Sequence, residues 1–425
     1  MMTVNLRGYP DLDYRSQYDI PAGPYELKTE QFQRRIERVR EHLLQRDLDG
    51  LLVMDPLNII YLSGLHFLPT ERPMGLYIPA QEGCPMFLIP RIDEDITGTW
   101  WLHESCSYFD YPLSDGNFKC PGQPVDMGDW FIDAIERNRG RLRRLALDDG
   151  RVLRKAKQYN DLEIVEDLAD DLMMRRIMKT PEEIELMKKA IGFGDLIMEY
   201  AYHLVHEYGT DLRDVDIRRI CEAFGQDLMF SQIDVDGRPH KGAGTGVDAW
   251  CRAGVTTAYP HPNQPSRTGI ERNQSLQVAL VIRVAGYAGE YYRAWHVGPM
   301  EPEAEELWAA HTEVTILQQE LSRDGMKASD IASRCLGYYE DRGLSRYVYH
   351  RPGHGQGVEG HQPPYISLGD DTILREGMCW SNEPGLYNVQ GGYGYNHSNL
   401  VITRQDEGEV PNRWPLDLES SLIRI

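Results

Sequence analysis

Apolar positions recur along the first part of the chain at two alternating periods. Behind Thr29, a threonine suited to an N-cap, Phe32, Ile36, Val39, Leu43 and Leu44 follow at helical spacing, and Asp49-Gly50 closes that helix. Leu51–Met54 then reads as a buried strand, with Met74–Ile78, Pro85–Ile89 and Leu145–Leu147 as further short strands between turn residues. Strands alternating with helices predict an α/β domain over roughly the first 165 residues. Residues 1 to about 28 are rich in Tyr, Asp, Pro and Gly, have no period, and read as an extended arm.

A second pattern begins at Thr180-Pro181-Glu182-Glu183. Thr180 as N-cap, Pro181 at the first helical position and Glu183 three residues after the cap make a capping box, and Ile184, Met187 and Ile191 continue at helical spacing. A polar loop over 232–246, strands from Ser275 to His296 and two helical segments over roughly 302–343 follow. Between His350 and His361 neither period holds: three histidines and four glycines alternate across twelve positions, ahead of Pro363-Pro364. Glycines admit close backbone approach, and histidines ligate metals or move protons near neutral pH. A polar surface loop is the bland alternative for the same residues.

Composition narrows the classes. With 425 residues, 41% hydrophobic and 26% charged, the chain is long enough for two domains with real cores. A formal net charge of -21 sets a repulsive field against nucleic acid and anionic membranes, so neither is expected as a partner. Cys84, Cys106, Cys120, Cys221, Cys251, Cys335 and Cys379 are odd in number, scattered and without a CxxC pair, which suits a reducing compartment. No run approaches the roughly 18 apolar residues of a membrane span, and a cytoplasmic protein is expected.

Six phrases, in order, carry a resemblance: Asn58–Gly64, Glu71-Arg72-Pro73, Met178–Met187, Pro260-His261-Pro262, Gly353–Gly357 and Gly377–Gly385. Together they resemble the creatinase and aminopeptidase family, whose catalytic domain has the pita-bread fold. The resemblance implies an α+β protein: a smaller α/β creatinase-type domain with its arm over 1–170, then a pita-bread catalytic domain over 171–425.

The family's metallopeptidases hold two divalent metals with two Asp, one His and two Glu. By resemblance the histidine is His354 and one glutamate is Glu383. The second aspartate position holds Glu290, three residues before Arg293; the first holds Ala279, which offers no donor; and the last glutamate position falls on His397. Glu290, His354, Glu383 and His397 would suffice for one divalent ion such as Mn, Fe or Zn, or the set has decayed to a polar pocket without metal. His361 matches a histidine that binds substrate or stabilises an oxyanion in the peptidases.

Creatinase, a member that has lost its metals, uses a histidine as acid and base, and His261 matches it. Arg72 matches an arginine that holds a substrate carboxylate from the partner subunit, which implies a homodimer whose N-terminal domain reaches the partner's active site. Tyr292 and Trp380, within a group including Tyr291, Trp295 and Tyr387, are expected to bind substrate, although strand aromatics are also ordinary core. The expectation is hydrolysis of a C–N bond in a small non-peptide, carboxylate-bearing metabolite, as in creatinase or ectoine hydrolase, with His261, His361 and Glu290 catalytic. The alternatives are a lyase of the dimethylsulfoniopropionate type, an Xaa-Pro metallopeptidase, and a decayed binding module.

Overall fold

In the computed structural model, residues 4–109, 123–124, 130–150, 162–233, 237–238, 240–261 and 266–425 are described. Pro262 and Cys120 lie outside the described residues. The chain divides into two units, one of residues 27–176 with 235–243 and one of residues 1–26, 177–234 and 244–425.

The N-terminal unit is built on a seven-stranded mixed sheet. Its strands are β1 (Gly50–Val53), β2 (Gly75–Pro79), β3 (Met86–Pro90), β4 (Ser105–Phe109), β5 (Gln123–Pro124), β6 (Arg144–Leu147) and β7 (Ile164–Asp167), in the order β5-β4-β3-β2-β1-β6-β7. The helix Thr29–Gln45 follows the predicted period, but it starts at Thr29 itself: Lys28 is the N-cap, and its N–H donates to Gln31. Apolar side chains alternate across β1. Leu51 and Val53 join one core cluster with Ile36, Val39, Leu43 and Phe87, while Leu52 joins a second with Tyr77, Phe131 and Leu145. A sheet covered on both faces needs these two apolar sets, which explains the continuous hydrophobic runs.

The second unit holds two four-stranded sheets. The first has the order β17-β10-β9-β8, from β8 (Gly246–Ala253), β9 (Gln274–Val284), β10 (Tyr287–Val297) and β17 (Leu422–Ile423). In the second, β11 (Gly353–Gly355), β12 (Gln362–Ile366), β13 (Cys379–Asn382) and β16 (Asn399–Ile402) run in the order β12-β11-β13-β16. A small ribbon pairs β14 (Leu386–Asn388) with β15 (Tyr393–Tyr395), and a bridge between Tyr292 and Ser398 links the two larger sheets.

Helices close the backs of these sheets. The predicted capping box starts the helix Pro181–Tyr208: Thr180 N–H donates to Glu183 at 2.6 Å, and the same carboxylate accepts from Tyr287 at 2.9 Å. Gly194 lets this helix lie against the sheet, because a Cβ there would fall 2.6 Å from the Tyr291 ring. Helices Pro302–Leu321 and Ala328–Asp341 share a core with the second sheet through Trp308, Val314, Ile331, Trp380 and Val401.

The N-terminal arm belongs to this second unit rather than to the α/β unit expected to carry it. Tyr9 donates to Asp227 at 2.6 Å, Tyr200 donates to the Pro10 carbonyl at 2.7 Å, and Tyr14 stacks on His203. The tyrosines that made the arm look merely irregular are its anchors. The six described cysteines are free, and no described helix is long and apolar enough to cross a membrane.

Candidate functional site

A hairpin turn sets the register of the site. Ala285 and Gly286 both have positive φ, the requirement of a two-residue primed turn, so Tyr287 pairs with Val284 and each later pair is fixed. Alternation then sends Glu290 and Tyr292 to one face, opposite Val281 and Ala279. Tyr291 turns to the other face, where its hydroxyl donates to buried Asp195 at 2.6 Å.

That first face walls a cavity of about 800 Å³ whose lining includes Trp250, Arg252, Glu290, His354, His361 and Glu383. His354 comes from the short strand β11, threaded between β12 and β13. A Cβ on Gly355 would lie 2.6 Å from the Gln362 carbonyl oxygen, so this passage requires the glycine that the sequence supplies.

His354 is almost fully buried and has partners on both ring nitrogens. Nδ1–H donates to the Gly355 carbonyl at 3.2 Å, which directs Nε2 toward Glu383 Oε1 at 3.2 Å and Glu290 Oε1 at 3.8 Å. Burial opposes the imidazolium, but the hydrogen bond it donates to Glu383 and the charges of Glu290 and Glu383 raise its pKa to about 9. Burial and the charge of Glu383 push Glu290 up to about 7, against the relief offered by His354, Ser398 and Tyr292. Glu383 moves down, since His354 more than offsets its burial. Within the cluster, His354 thus favours its protonated form and Glu383 its charged form, with Glu290 held between them.

His361 stacks on His354 with 3.7 Å between ring centroids, and its Nε2 lies 3.9 Å from Glu290 Oε1. Burial, then the neighbouring His354 charge, lowers its pKa to about 4, leaving a neutral imidazole with an exposed edge. Donor atoms of Glu290, His354 and His361 all lie within 4.8 Å of one another, a set that fits one divalent ion, with Glu383 beside it.

The predicted residues divide at this point. Glu290, His354, His361 and Glu383 converge, and His261 and Tyr292 line the same cavity. His397 does not join them: its Nδ1 accepts from the Ala294 N–H at 3.2 Å, and its ring lies 4.4 Å from that of His311 in the core. One step along an extended chain reverses the face, so the next residue, Ser398, points in and its hydroxyl donates to Glu290 at 3.2 Å. Trp380, expected to touch substrate, is wholly buried beneath β11 among Trp308, Ile366 and Val401. Arg72 lies in the N-terminal unit, where it pairs with Glu71 at 2.8 Å. His350, the first histidine of the stretch, stands on the cavity wall and accepts from Tyr387 at 2.9 Å.

Ser398, which supports Glu290, and Arg252, on the cavity wall, escaped the sequence reading. Ser398 is recognisable only once the parity of its strand is known. Arg252 had a visible signal, an arginine inside the otherwise apolar run Ala249–Ala253.

Residues 185–405 match metallopeptidase family M24, and residues 35–152 match the creatinase/prolidase N-terminal domain. The Xaa-Pro dipeptidase of Lactobacillus delbrueckii subsp. lactis is 25% identical over 87% of this chain and 94% of its own length. The Xaa-Pro dipeptidase of Pyrococcus horikoshii is 22% identical over 87% of this chain and 94% of its own. Among solved structures, dipeptidase PepE from Mycobacterium ulcerans superposes with a TM-score of 0.75, at 20% identity, across 94% of this chain and all of that one. The prolidase of Pyrococcus horikoshii gives 0.72 at 20% identity, across 91% of this chain and 99% of that one. These relatives are named as peptidases, which overturns the expected hydrolysis of a non-peptide metabolite. The donors missing at Ala279 and His397 do not remove the chain from the peptidases. The matches extend along nearly the whole chain and lead to peptidases instead.

Proposed function

Because the chain belongs to metallopeptidase family M24, we propose that it hydrolyses small peptides, with Xaa-Pro dipeptides as the first substrates to test, at a site for a single divalent ion. The supporting observation is the convergence of Glu290, His354 and His361 donors within 4.8 Å, with Glu383 at 3.2 Å from His354. Ala279 has no donor and His397 faces the core, so the donor set suits one ion of the Mn, Fe or Zn type better than a pair. Bound there, the ion supplies Lewis acidity toward a peptide carbonyl.

The remaining steps belong to side chains. The Nδ1–H bond to Gly355 holds His354 in the tautomer that presents Nε2 to the site. Glu290 turns Oε1 to the cluster while the Ser398 hydroxyl donates to Oε2 at 3.2 Å, which fixes the orientation of the carboxylate. Neutral His361 offers an N–H to charge developing on the carbonyl oxygen, and His261 at the cavity wall is placed to pass a proton to the leaving amine.

A binding module without turnover is the second reading, favoured by the donor lost at Ala279. Release of proline from glycyl-proline, assayed with added Mn²⁺, separates the two. Turnover abolished by Glu290→Gln and by His354→Ala supports the peptidase. Tight binding without release of proline supports the module.

A further inference from the structure

Arg252 projects from β8 into the cavity with only 4% of its surface exposed. Its Nη1 donates to the carbonyls of Tyr259 and Pro260, the latter at 3.0 Å. Nε has no hydrogen-bond partner, and no carboxylate among the described residues forms an ion pair with the side chain. Glu383 acts on it only through space. A guanidinium remains charged even when buried, so this is a resident cation with its counter-ion missing. The other cavity arginines differ: Arg283 is neutralised by Asp248 at 2.7 Å, and Arg351 is exposed, lying over the Tyr365 ring.

The surroundings of Arg252 define what would complete it. Trp250, two residues earlier on the same face, pairs with Ala279, which pairs in turn with Tyr292. These form a largely apolar wall with the guanidinium at one place and the Glu290–His354–His361 cluster at another. A ligand filling the cavity needs an anionic group for Arg252, an apolar body for the wall, and a polar bond before the cluster.

We propose that Arg252 is the specificity-determining anchor for a carboxylate on the substrate, restricting the site to ligands with a free C-terminal carboxylate. The inference rests on the proposed peptidase for the identity of that ligand. The carbonyls of Tyr259 and Pro260, immediately before His261, hold the guanidinium in place, so its orientation is set before substrate arrives. Mono- or bidentate hydrogen bonds to the carboxylate would then supply the missing charge.

Matched probes test this on the full-length protein. L-proline and L-prolinamide, neither containing a bond between two residues, are titrated calorimetrically into wild type, Arg252→Gln and Arg252→Lys. We expect wild type to favour proline by about tenfold or more. Arg252→Gln should abolish the preference while leaving prolinamide affinity unchanged, and Arg252→Lys should restore part of it. Equal affinity of wild type for the two probes, or no detectable binding of either, overturns the proposal without any variant. So does a preference that survives in folded Arg252→Gln, with folding checked by circular dichroism. A carboxylate preference without turnover of glycyl-proline removes the peptidase reading and leaves the anchor intact. Turnover of glycyl-proline and glycyl-prolinamide at equal kcat/KM does the reverse.

Discussion

Ala279 and Tyr292 face each other across the β9–β10 ladder, both lining the cavity. Trp250 flanks Ala279 on its other side, so the methyl group sits in a row of aromatic side chains instead of a row of donors. This arrangement limits the number of cations the site can hold, because a two-ion site requires carboxylates that bridge and terminate both ions.

Metal content follows from that row. Wild-type protein equilibrated with Mn²⁺ and desalted should retain about one ion per chain by elemental analysis, as the single cluster of donors among the described residues dictates. The double variant Ala279→Asp/Ser398→Glu places one carboxylate on the cavity lining and one beside Glu290, and should raise the count toward two. A wild-type value near two would show that the donor at 279 is dispensable.

The two histidines at issue should respond oppositely. His361→Gln removes an exposed donor from the cluster, so Mn²⁺ affinity should fall by about ten- to a hundredfold with little change in Tm. His397→Gln disturbs a core position against His311 and Trp308, so Tm should fall while metal affinity stays within about threefold. Isothermal titration and thermal melts on both variants would expose a reversed pattern.

Glycines of the histidine stretch are unequal. A side chain at Gly355 meets the Gln362 and Pro363 carbonyl oxygens, so Gly355→Ala should cost about 2–4 kcal/mol and separate His354 from His361, reducing metal binding with it. At Gly360 nothing lies within 4 Å of the added Cβ, and Gly360→Ala should change stability by no more than about 0.5 kcal/mol. Denaturant melts of the pair check both values; similar midpoints would show that β11 yields to the added methyl.

Asp148 predicts a pH dependence in the N-terminal unit. Burial raises its pKa from 3.8 to about 6, against the hydrogen bonds from Asn58 and the Met54 N–H. The folded state thus holds this proton more tightly than the unfolded chain, so ionisation costs stability as pH rises from about 4 to about 6. Asp148→Asn has no proton to lose. Its Tm relative to wild type should improve across that interval and level off above it. A Tm difference that is flat from pH 4 to 7 would falsify the assignment.

Sequence alone carried the parts of this protein that depend on neighbours along the chain. The capping box at Thr180, the body of the helix Thr29–Gln45 though not its cap, and the short strands follow from local periodicity and capping chemistry, which need no partner to be read. Ordered motifs likewise carried the family and the convergence of Glu290, His354, His361 and Glu383.

Face, depth and partnership were decided only by the tertiary structure. His397 and Ser398 are adjacent in sequence, yet one enters the core and the other the cavity, because strand parity is settled by pairing across the sheet. Trp380 and Tyr292 have similar strand contexts, and only the layer of helices behind Trp380 makes it core. Arg252 becomes a resident cation because, among the described residues, no carboxylate forms an ion pair with it, a property of surrounding space that no residue carries by itself.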